Sequence, residues 1–401
     1  MEDTSNRIVH EKLAQAADLL DRHQIDVWLT FARETSLTKD PALEMICPLG
    51  VTWHSAFLIG RRGETVAIVG RHDAGNVERL RAYSQVVGYD ASIRPELVEA
   101  LRRLSPGRVA INFSESDPAA DGLTHGMKLT LDEILAEAGV TPPRIVSAEH
   151  LINSLRGQKT PSELAHIREA VAVTEMLFAE VGQRIRPGVT ERELADFLHR
   201  RLDELRLETA WERQMNPIVN TGPDSAIGHS SPSDLAVRPG HLVHFDFGVK
   251  QSGFCADLQR VWYVLDVGES EPPQQVRRMW HLVRGALEAG AEVLKPGAQG
   301  WEVDAAARSF FVEHGVPEYM HAFGHHVGRV AHDGGAVLGP RWDRYGQAPN
   351  RLVEPGNVFA IELGALVPGK GWIYLEENVL VAEHAVEPLS NPQTELMVVA
   401  P

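Results

Sequence analysis

Two stretches, HFDFGVKQSGFCADLQR at residues 244–260 and AIELGALVPGKGWIYLEEN at residues 360–378, decide the fold of this chain. In each, two runs of strand-forming residues flank a short turn that contains glycine, which is typical of a β-hairpin. We expect the first turn to be centred between Gln251 and Ser252. With that register, Asp246 faces Asp257 across the hairpin, and their Cβ atoms lie about 5 Å apart.

The second stretch repeats this arrangement with two glutamates. A turn centred on Gly369 sets Glu362 opposite Glu376, and HAFGHHVGRVAH at residues 321–332 adds the imidazole of His325. Four carboxylates and one imidazole are ligand types that hold divalent cations. Two metal ions about 3.5–4 Å apart need bridging carboxylates from opposite sides, which two hairpins can supply. The pattern therefore predicts a site for two divalent metal ions.

A weak internal repeat surrounds these hairpins. RPGHLVHFD at residues 238–246 matches EPGNVFAIE at residues 354–362, and each segment ends in a candidate metal ligand. Upstream, RPGVTE at residues 186–191 resembles KPGAQG at residues 295–300, and each segment opens an amphipathic helix. Proline-glycine turns also recur by chance, but here the turn, strand and acid coincide. The repeat predicts two related αβ halves that bring one hairpin each to a shared cleft.

These residues resemble those of the metal-dependent Xaa-Pro peptidases, prolidase and aminopeptidase P, which share the pita-bread fold with methionine aminopeptidase. The family pattern is an aspartate, a second aspartate eleven residues later, a histidine, a glutamate and a last glutamate near the C-terminus. It is filled here by Asp246, Asp257, His325, Glu362 and Glu376. The resemblance extends from Thr160 to the C-terminus. It implies an enzyme, and more specifically a metallopeptidase with two divalent ions.

The resemblance also implies roles in catalysis. A hydroxide that bridges the two metals would attack the carbonyl before proline, with Glu362 as the proton acceptor. His229 and His332 would orient the peptide and stabilise the oxyanion, and His321 would line the proline pocket. Manganese is the expected metal, with zinc, cobalt or iron as alternatives. We favour an Xaa-Pro dipeptidase over an Xaa-Pro aminopeptidase, and sequence alone does not decide between them.

Two ligand assignments have a neighbouring alternative. Glu377 adjoins Glu376, and strand alternation places them on opposite faces, so the hairpin register favours Glu376. His326 adjoins His325, and the seven-residue step to His332 favours the former position, His325.

The chain departs from the family pattern at two further positions. Many relatives carry a tyrosine four residues after the first glutamate and an arginine two residues before the last. Leu366 and Tyr374 stand there. Their joint replacement suggests a pair of residues that support the ligands and that changed together. Because such residues tune metal affinity, the metal preference and the rate are open questions.

The first 155 residues alternate helical and strand-like segments. A helix is expected at residues 11–23 and another at 95–104, with strands at 26–31, 56–59 and 66–69. This alternation indicates an α/β layer and fits the creatinase-type domain that accompanies Xaa-Pro peptidases. Thr160-Pro-Ser-Glu163 then opens a helix with a capping box. We therefore expect an α/β (α+β) protein with a smaller N-terminal domain at residues 1–155 and a pita-bread catalytic domain at residues 156–401.

Composition is compatible with this interpretation. The net charge of −16 argues against nucleic acid as a partner. The polar N-terminus lacks an apolar signal core, and no apolar run approaches the roughly 18 residues of a membrane span, so no membrane partner is expected. Cys47 and Cys255 are the only cysteines, which fits a reducing cytoplasm. The expected partners are Xaa-Pro dipeptides or short peptides and a second copy of the chain in a homodimer.

Two other functional classes remain as alternatives. One is a pita-bread hydrolase or lyase that acts on a non-peptide small molecule, as creatinase does. Creatinase lacks the metal ligands, so the intact set of five counts against that version. The other is a catalytically inactive binding scaffold, which is expected to have lost several ligands.

Overall fold

The computed structural model describes residues 4–228 and 230–401, and the chain forms two compact units. One unit ends at Arg156, and the other runs from Gly157 to Pro401. His229, a predicted catalytic residue, lies outside the described residues. Among those that are described, no helix combines the length and the apolar character needed to cross a bilayer.

The first unit is an α/β layer. Its helices are α1 (Thr4–Arg22), α2 (Leu43–Ile46), α3 (Arg71–Arg79), α4 (Arg94–Leu104), α5 (His125–Glu137) and α6 (Glu149–Gly157). Its strands are β1 (Val27–Ala32), β2 (Ser55–Gly60), β3 (Thr65–Gly70), β4 (Gln85–Tyr89), β5 (Val109–Ile111) and β6 (Ile145–Ser147). They form one sheet in the order β4-β3-β2-β1-β5-β6, which is antiparallel around β2 and parallel toward both edges.

The core of this unit is divided by the sheet. Trp28 of β1 packs with α1, α2 and α6 on one face, whereas Val27 and Leu29 pack with α4 and α5 on the other. Successive strand residues point to opposite faces, so a strand buried on both faces is mostly apolar, and β1 contains one buried polar residue, Thr30. The predicted helices and strands of this unit are confirmed, although α1 begins earlier than residue 11.

The second unit carries the hairpins. Its helices are α7 (Pro161–Gly182), α8 (Glu191–Leu205), α9 (Gln274–Val293) and α10 (Gly300–Glu313). Its strands are β7 (Glu208–Thr209), β8 (Ile218–Thr221), β9 (Leu242–Phe247), β10 (Val249–Gln251), β11 (Phe254–Cys255), β12 (Leu258–Val264), β13 (Gly324–His326), β14 (Val337–Leu338), β15 (Val358–Val367), β16 (Gly371–Val381), β17 (Val386–Pro388) and β18 (Met397–Val399). The main sheet has the order β14-β13-β15-β16-β12-β9-β8, so β16 and β12 join the two hairpins.

Helices cover the back of both hairpins. Phe178 of α7 lies edge-on against Phe245 and Phe247 of β9. Helices α9 and α10 belong to the same core as Ile361 of β15 and Leu375 of β16. Alternation along β9, β15 and β16 then directs Asp246, Glu362 and Glu376 to the opposite face.

The helix starts agree with the sequence signals. Thr160 and Thr190 each form a complete capping box with a glutamate three residues later, at α7 and α8. Gln299 and Glu302 make the equivalent box at α10. The two Pro-Gly segments at residues 186–191 and 295–300 therefore each lead into a helix, as the repeat predicts.

Candidate metal centre

One row of paired residues crosses four strands of the main sheet. Asp246 on β9 pairs with Gln259 on β12, Gln259 pairs with Glu376 on β16, and Glu376 pairs with Glu362 on β15. Because laterally paired residues point to the same face of a sheet, all four side chains lie on one surface. The predicted opposition of Glu362 and Glu376 is confirmed.

The predicted opposition of Asp246 and Asp257 is wrong. The turn is centred between Ser252 and Gly253, which both have positive φ (52° and 82°), as in a two-residue type I′ turn. This moves the partner of Asp246 from Asp257 to Gln259. A shift of two residues leaves every side chain on its original face, whereas a shift of one would reverse them. The Asp257 carboxyl group consequently still lies on the same face as Asp246, and after burial the charge of Asp246 is the main cause that raises the pKa of Asp257.

His325 on β13 closes the cluster from the β15 side. Its Nε2 atom lies 3.9 Å from Oδ2 of Asp257, 4.0 Å from Oε1 of Glu362 and 3.7 Å from Oε1 of Glu376. Ligand atoms of His325, Asp257 and Glu376 all lie within 4.8 Å of one another. Since metal–oxygen and metal–nitrogen bonds are about 2.0–2.6 Å long, atoms spaced in this way can share one cation.

Burial makes the metal-free cluster electrostatically unfavourable. Desolvation, together with the charge of neighbouring carboxylates, raises the pKa of Asp246, Asp257 and Glu376 well above the ordinary range. Desolvation also raises the pKa of Glu362 to about 7. Several ionised carboxylates in such a site require a positive charge between them. In addition, Asp246 Oδ1 is buried without a hydrogen-bond partner among the described residues. These oxygen donors fit divalent cations.

The imidazole of His325 is suited to the same purpose. Burial, reinforced by the charge of His332, lowers the pKa of His325 to about 3, so the ring is neutral near pH 7. Its Nδ1 atom lies 3.3 Å from the carbonyl oxygen of His326. Because a carbonyl only accepts hydrogen bonds, this contact favours a proton on Nδ1 and leaves the Nε2 lone pair facing the carboxylates.

The alternative ligands point away from the cluster. Glu377 is buried and pairs with Arg260 at 3.0 Å and with Ser390 at 2.6 Å. The ring of His326 lies against Phe359, with centroids 4.2 Å apart. Polar partners account for the burial of Glu377, and the His326 ring packs against Phe359, so neither side chain is needed to complete the cluster.

The predicted catalytic histidines lie near the cluster to different degrees. His332 meets His325 edge-to-face, with ring centroids 4.3 Å apart. His321 is exposed, and its ring centroid lies 5.5 Å from the ring centroid of Tyr319. Burial raises the pKa of the Tyr319 hydroxyl, and the negative charges of Glu362 and Glu376 raise it further. Tyr319 therefore lies within electrostatic range of the carboxylate cluster. The segment from His321 to His332 therefore flanks the carboxylates.

Two polar residues of the cluster were not predicted from the sequence. Gln259 lies between the two pairs of acids, and His244 contacts it at 3.0 Å. A sequence signal was available, because Gln259 follows Asp257 by two residues and His244 precedes Asp246 by two. Alternation places each on the same strand face as its aspartate.

The two departures from the family pattern occupy different surroundings. Tyr374 pairs with Gly364, and a Cβ atom at position 364 would collide with the tyrosine ring. The Tyr374 ring stacks on Trp372 and approaches His244 at 5.3 Å. Leu366 pairs instead with Trp372 and is 42% exposed. Aromatic rings thus border the carboxylates on this side.

Comparisons with known proteins agree with this geometry. A probable dipeptidase, PepE, of Mycobacterium tuberculosis is 32% identical over 287 residues, which cover 70% of this chain and 71% of PepE. An Xaa-Pro dipeptidase of Lactobacillus delbrueckii subsp. lactis is 28% identical over 249 residues, covering 62% and 63% of the two chains. The solved structure of an Xaa-Pro dipeptidase from Bacillus anthracis aligns with a TM-score of 0.73 at 23% identity, covering 98% of this chain and all of that one.

The structural alignment confirms the pita-bread fold and its α/β class. The model of metallopeptidase family M24 matches residues 165–383, which contain all five candidate ligands. With more than half of the chain matched and a relative above 30% identity, this protein is a member of metallopeptidase family M24.

Proposed function

We propose that this metallopeptidase is an exopeptidase that cleaves the peptide bond before proline, with Xaa-Pro dipeptides as its preferred substrates. The observation that carries the proposal is the convergence of four carboxylates and the neutral imidazole of His325 on one partly buried surface. The relative from Lactobacillus delbrueckii, named an Xaa-Pro dipeptidase, supports the substrate class. The non-peptide alternative receives no support from relatives named as peptidases.

Five residues would hold the metal ions: Asp246, Asp257, His325, Glu362 and Glu376. Two divalent ions would supply an acidified water and would polarise the carbonyl of the scissile bond. Manganese is our first choice because oxygen ligands dominate, and zinc, cobalt or iron are the alternatives. The unpartnered, buried Oδ1 of Asp246 supports its assignment as a ligand.

The remaining steps belong to side chains of this protein. Glu362 would accept the proton of the attacking water and pass it to the proline nitrogen, a role that the family resemblance implies. His332, in contact with His325, would orient the peptide and donate to the developing oxyanion. We assign the same task to His229 and the proline pocket to His321 from the family resemblance.

The setting of the enzyme is also part of the proposal. Cys47 and Cys255 are both buried and free, which supports a reducing compartment such as the cytoplasm. A homodimer is proposed from the family resemblance alone.

Metal analysis combined with a substrate panel tests this function. The panel contains Xaa-Pro dipeptides, longer Xaa-Pro peptides, matched Xaa-Ala peptides and creatine. We expect hydrolysis of Xaa-Pro dipeptides that requires the metal and is lost in Asp246→Ala. Equal turnover of Xaa-Ala would contradict proline specificity, and faster cleavage of longer peptides would identify an aminopeptidase. Near-wild-type turnover by a metal-analysed Asp246→Ala protein would contradict the metal centre.

A further inference from the structure

One of the four residues in the row across the sheet, Gln259, carries no charge. Gln259 is 3% exposed and stands between Asp246 on one side and Glu376 on the other. Its Nε2 donates two hydrogen bonds, to Oε2 of Glu362 at 2.8 Å and to Oε2 of Glu376 at 3.0 Å. One amide group therefore joins two candidate metal ligands that belong to different strands.

Contacts of the Gln259 amide oxygen fix the orientation of this amide. The Gln259 Oε1 atom lies 3.0 Å from Nε2 of His244, and Nδ1 of His244 lies 3.1 Å from Oδ1 of Asn220. Asn220 is buried and donates to Ser225 at 3.1 Å, and Ser225 donates to the buried Glu191 at 2.6 Å. Only the NH₂ side of Gln259 can donate to a carboxylate, so this side must face the glutamates. The chain of polar contacts leaves the amide little freedom to rotate.

The two oxygens of each glutamate consequently have different tasks. Gln259 engages the Oε2 atom of Glu362 and of Glu376. The Oε1 atoms are those that approach Nε2 of His325, at 4.0 Å and 3.7 Å. We propose that Gln259 is a positioning residue that holds Oε2 of both glutamates and thereby presents their Oε1 atoms to the metal ions. This inference rests on the proposed metal centre and adds a residue that sets its geometry.

A neutral donor is required at this position. Another carboxylate would add negative charge to a cluster whose members already raise one another's pKa. An apolar side chain would leave one buried oxygen, on Glu376, and one partly buried oxygen, on Glu362, without their donor. Groups that hydrogen-bond to metal ligands typically change metal affinity about 10- to 100-fold when they are removed. Gln259 combines donor capacity with neutrality.

The test replaces the amide with a side chain of similar length. Gln259→Met removes both hydrogen bonds, and Gln251→Met makes the same replacement near the turn of the same hairpin, where Gln251 pairs with Phe254. Full-length proteins are stripped of metal and titrated with Co²⁺ by calorimetry, and the visible spectrum of the Co²⁺ form is recorded. Thermal unfolding of the metal-free proteins is measured in parallel.

We expect Gln259→Met to bind Co²⁺ about 10- to 100-fold more weakly than wild type and to show an altered Co²⁺ spectrum, while Gln251→Met matches wild type in both. Unchanged affinity with an unchanged spectrum in Gln259→Met would overturn the inference. So would a loss of metal-free thermal stability with unchanged Co²⁺ binding, because it would assign Gln259 a structural role only. If wild type itself binds no Co²⁺, the proposed metal centre fails first.

Discussion

Replacing Glu362 with glutamine should stabilise the metal-free protein, and the gain should grow with pH. Burial raises the pKa of Glu362 from 4.5 to about 7. A raised pKa in the folded state means that protonation favours folding. The protonated carboxyl group of Glu362 therefore contributes to the free energy of unfolding. This contribution is present in full below pH 4.5 and is lost as the pH rises through about 7. Glutamine keeps the shape of the protonated acid and does not ionise.

The size of the effect follows from the pKa. The interval between 4.5 and about 7, at about 1.4 kcal/mol per pH unit, amounts to about 3 kcal/mol at alkaline pH. At pH 5 less than one third of this penalty applies, because the folded protein is still protonated there. The advantage of Glu362→Gln over wild type should therefore be about 2–3 kcal/mol larger at pH 8 than at pH 5. The charge of Glu362 also raises the pKa values of the neighbouring acids. Glu362→Gln removes this repulsion, which further increases the stability advantage of the variant at high pH.

Urea unfolding of both metal-free proteins at pH 5 and pH 8 measures this difference directly. Comparing two proteins at each pH cancels the titration of the buried histidines, which both contain. The exposed Glu383 provides the control, because Glu383→Gln makes the same replacement outside the carboxylate cluster. An advantage of Glu362→Gln that is equal at both pH values, or smaller at pH 8, would refute the electrostatic argument. The same variant should lose peptidase activity with metal restored.

Three further outcomes are expected. His325→Ala should lower metal occupancy, whereas His332→Ala should retain both ions and lose about 10²–10³-fold in kcat; the reverse pattern, by metal analysis and steady-state kinetics, would contradict the assignment of roles. Leu366→Tyr combined with Tyr374→Arg should change which metal best activates the stripped enzyme, and an unchanged order of activation would show that these positions do not tune the site. Arg260 contacts the buried carboxylate of Glu377 at 3.0 Å, and Arg260→Leu would leave that carboxylate without its cation. Urea unfolding should therefore show that the free energy of unfolding falls by about 3–5 kcal/mol, and a fall of less than about 1 kcal/mol would contradict a buried ion pair.

The second hairpin was predictable from sequence because its turn is symmetric. Val367 and Gly371 pair on either side of Gly369, and strands of ten and eleven residues extend the register as far as the glutamates. The first hairpin was predictable only in part. Ser252 adopts a left-handed conformation that a non-glycine residue rarely takes, so the turn centre was placed one residue too early. The aspartates still shared a face, because the error in register was two residues.

The role of Gln259 was not visible because it depends on a contact between the two hairpins. Gln259 and Glu376 are paired residues of β12 and β16, and they are separated by 117 positions in sequence. Hairpin turns specify only the pairing within each hairpin. No local signal specifies that the row of β9 and β12 continues into the row of β16 and β15. From the sequence alone, Gln259 is therefore indistinguishable from any other polar residue on the polar face of its strand.

Leu366 and Tyr374 illustrate the same limit. The sequence suggested one pair that changed together, but the register gives them different partners: Leu366 opposes Trp372, and Tyr374 opposes Gly364. Tyr374 depends on the glycine, since any larger residue at position 364 would meet its ring. An arginine at position 374 must therefore fit the same space. Positions 366 and 374 are diagonal neighbours on adjacent strands and share one face of the sheet.

The energetic character of the site follows from its composition. Buried acids that raise one another's pKa weaken the metal-free fold, and only a bound cation reverses the sign of these interactions. A ligand that binds only the folded state stabilises it by an amount that grows with the ratio of its concentration to its Kd. Glu362→Gln should therefore raise the stability of the metal-free protein and reduce the stabilisation that added metal provides. Gln259→Met should reduce the stabilisation that added metal provides, but it should not raise the stability of the metal-free protein, because it removes hydrogen-bond donors and no charge. The two variants separate the electrostatic cost of the carboxylates from the hydrogen bonds that orient them.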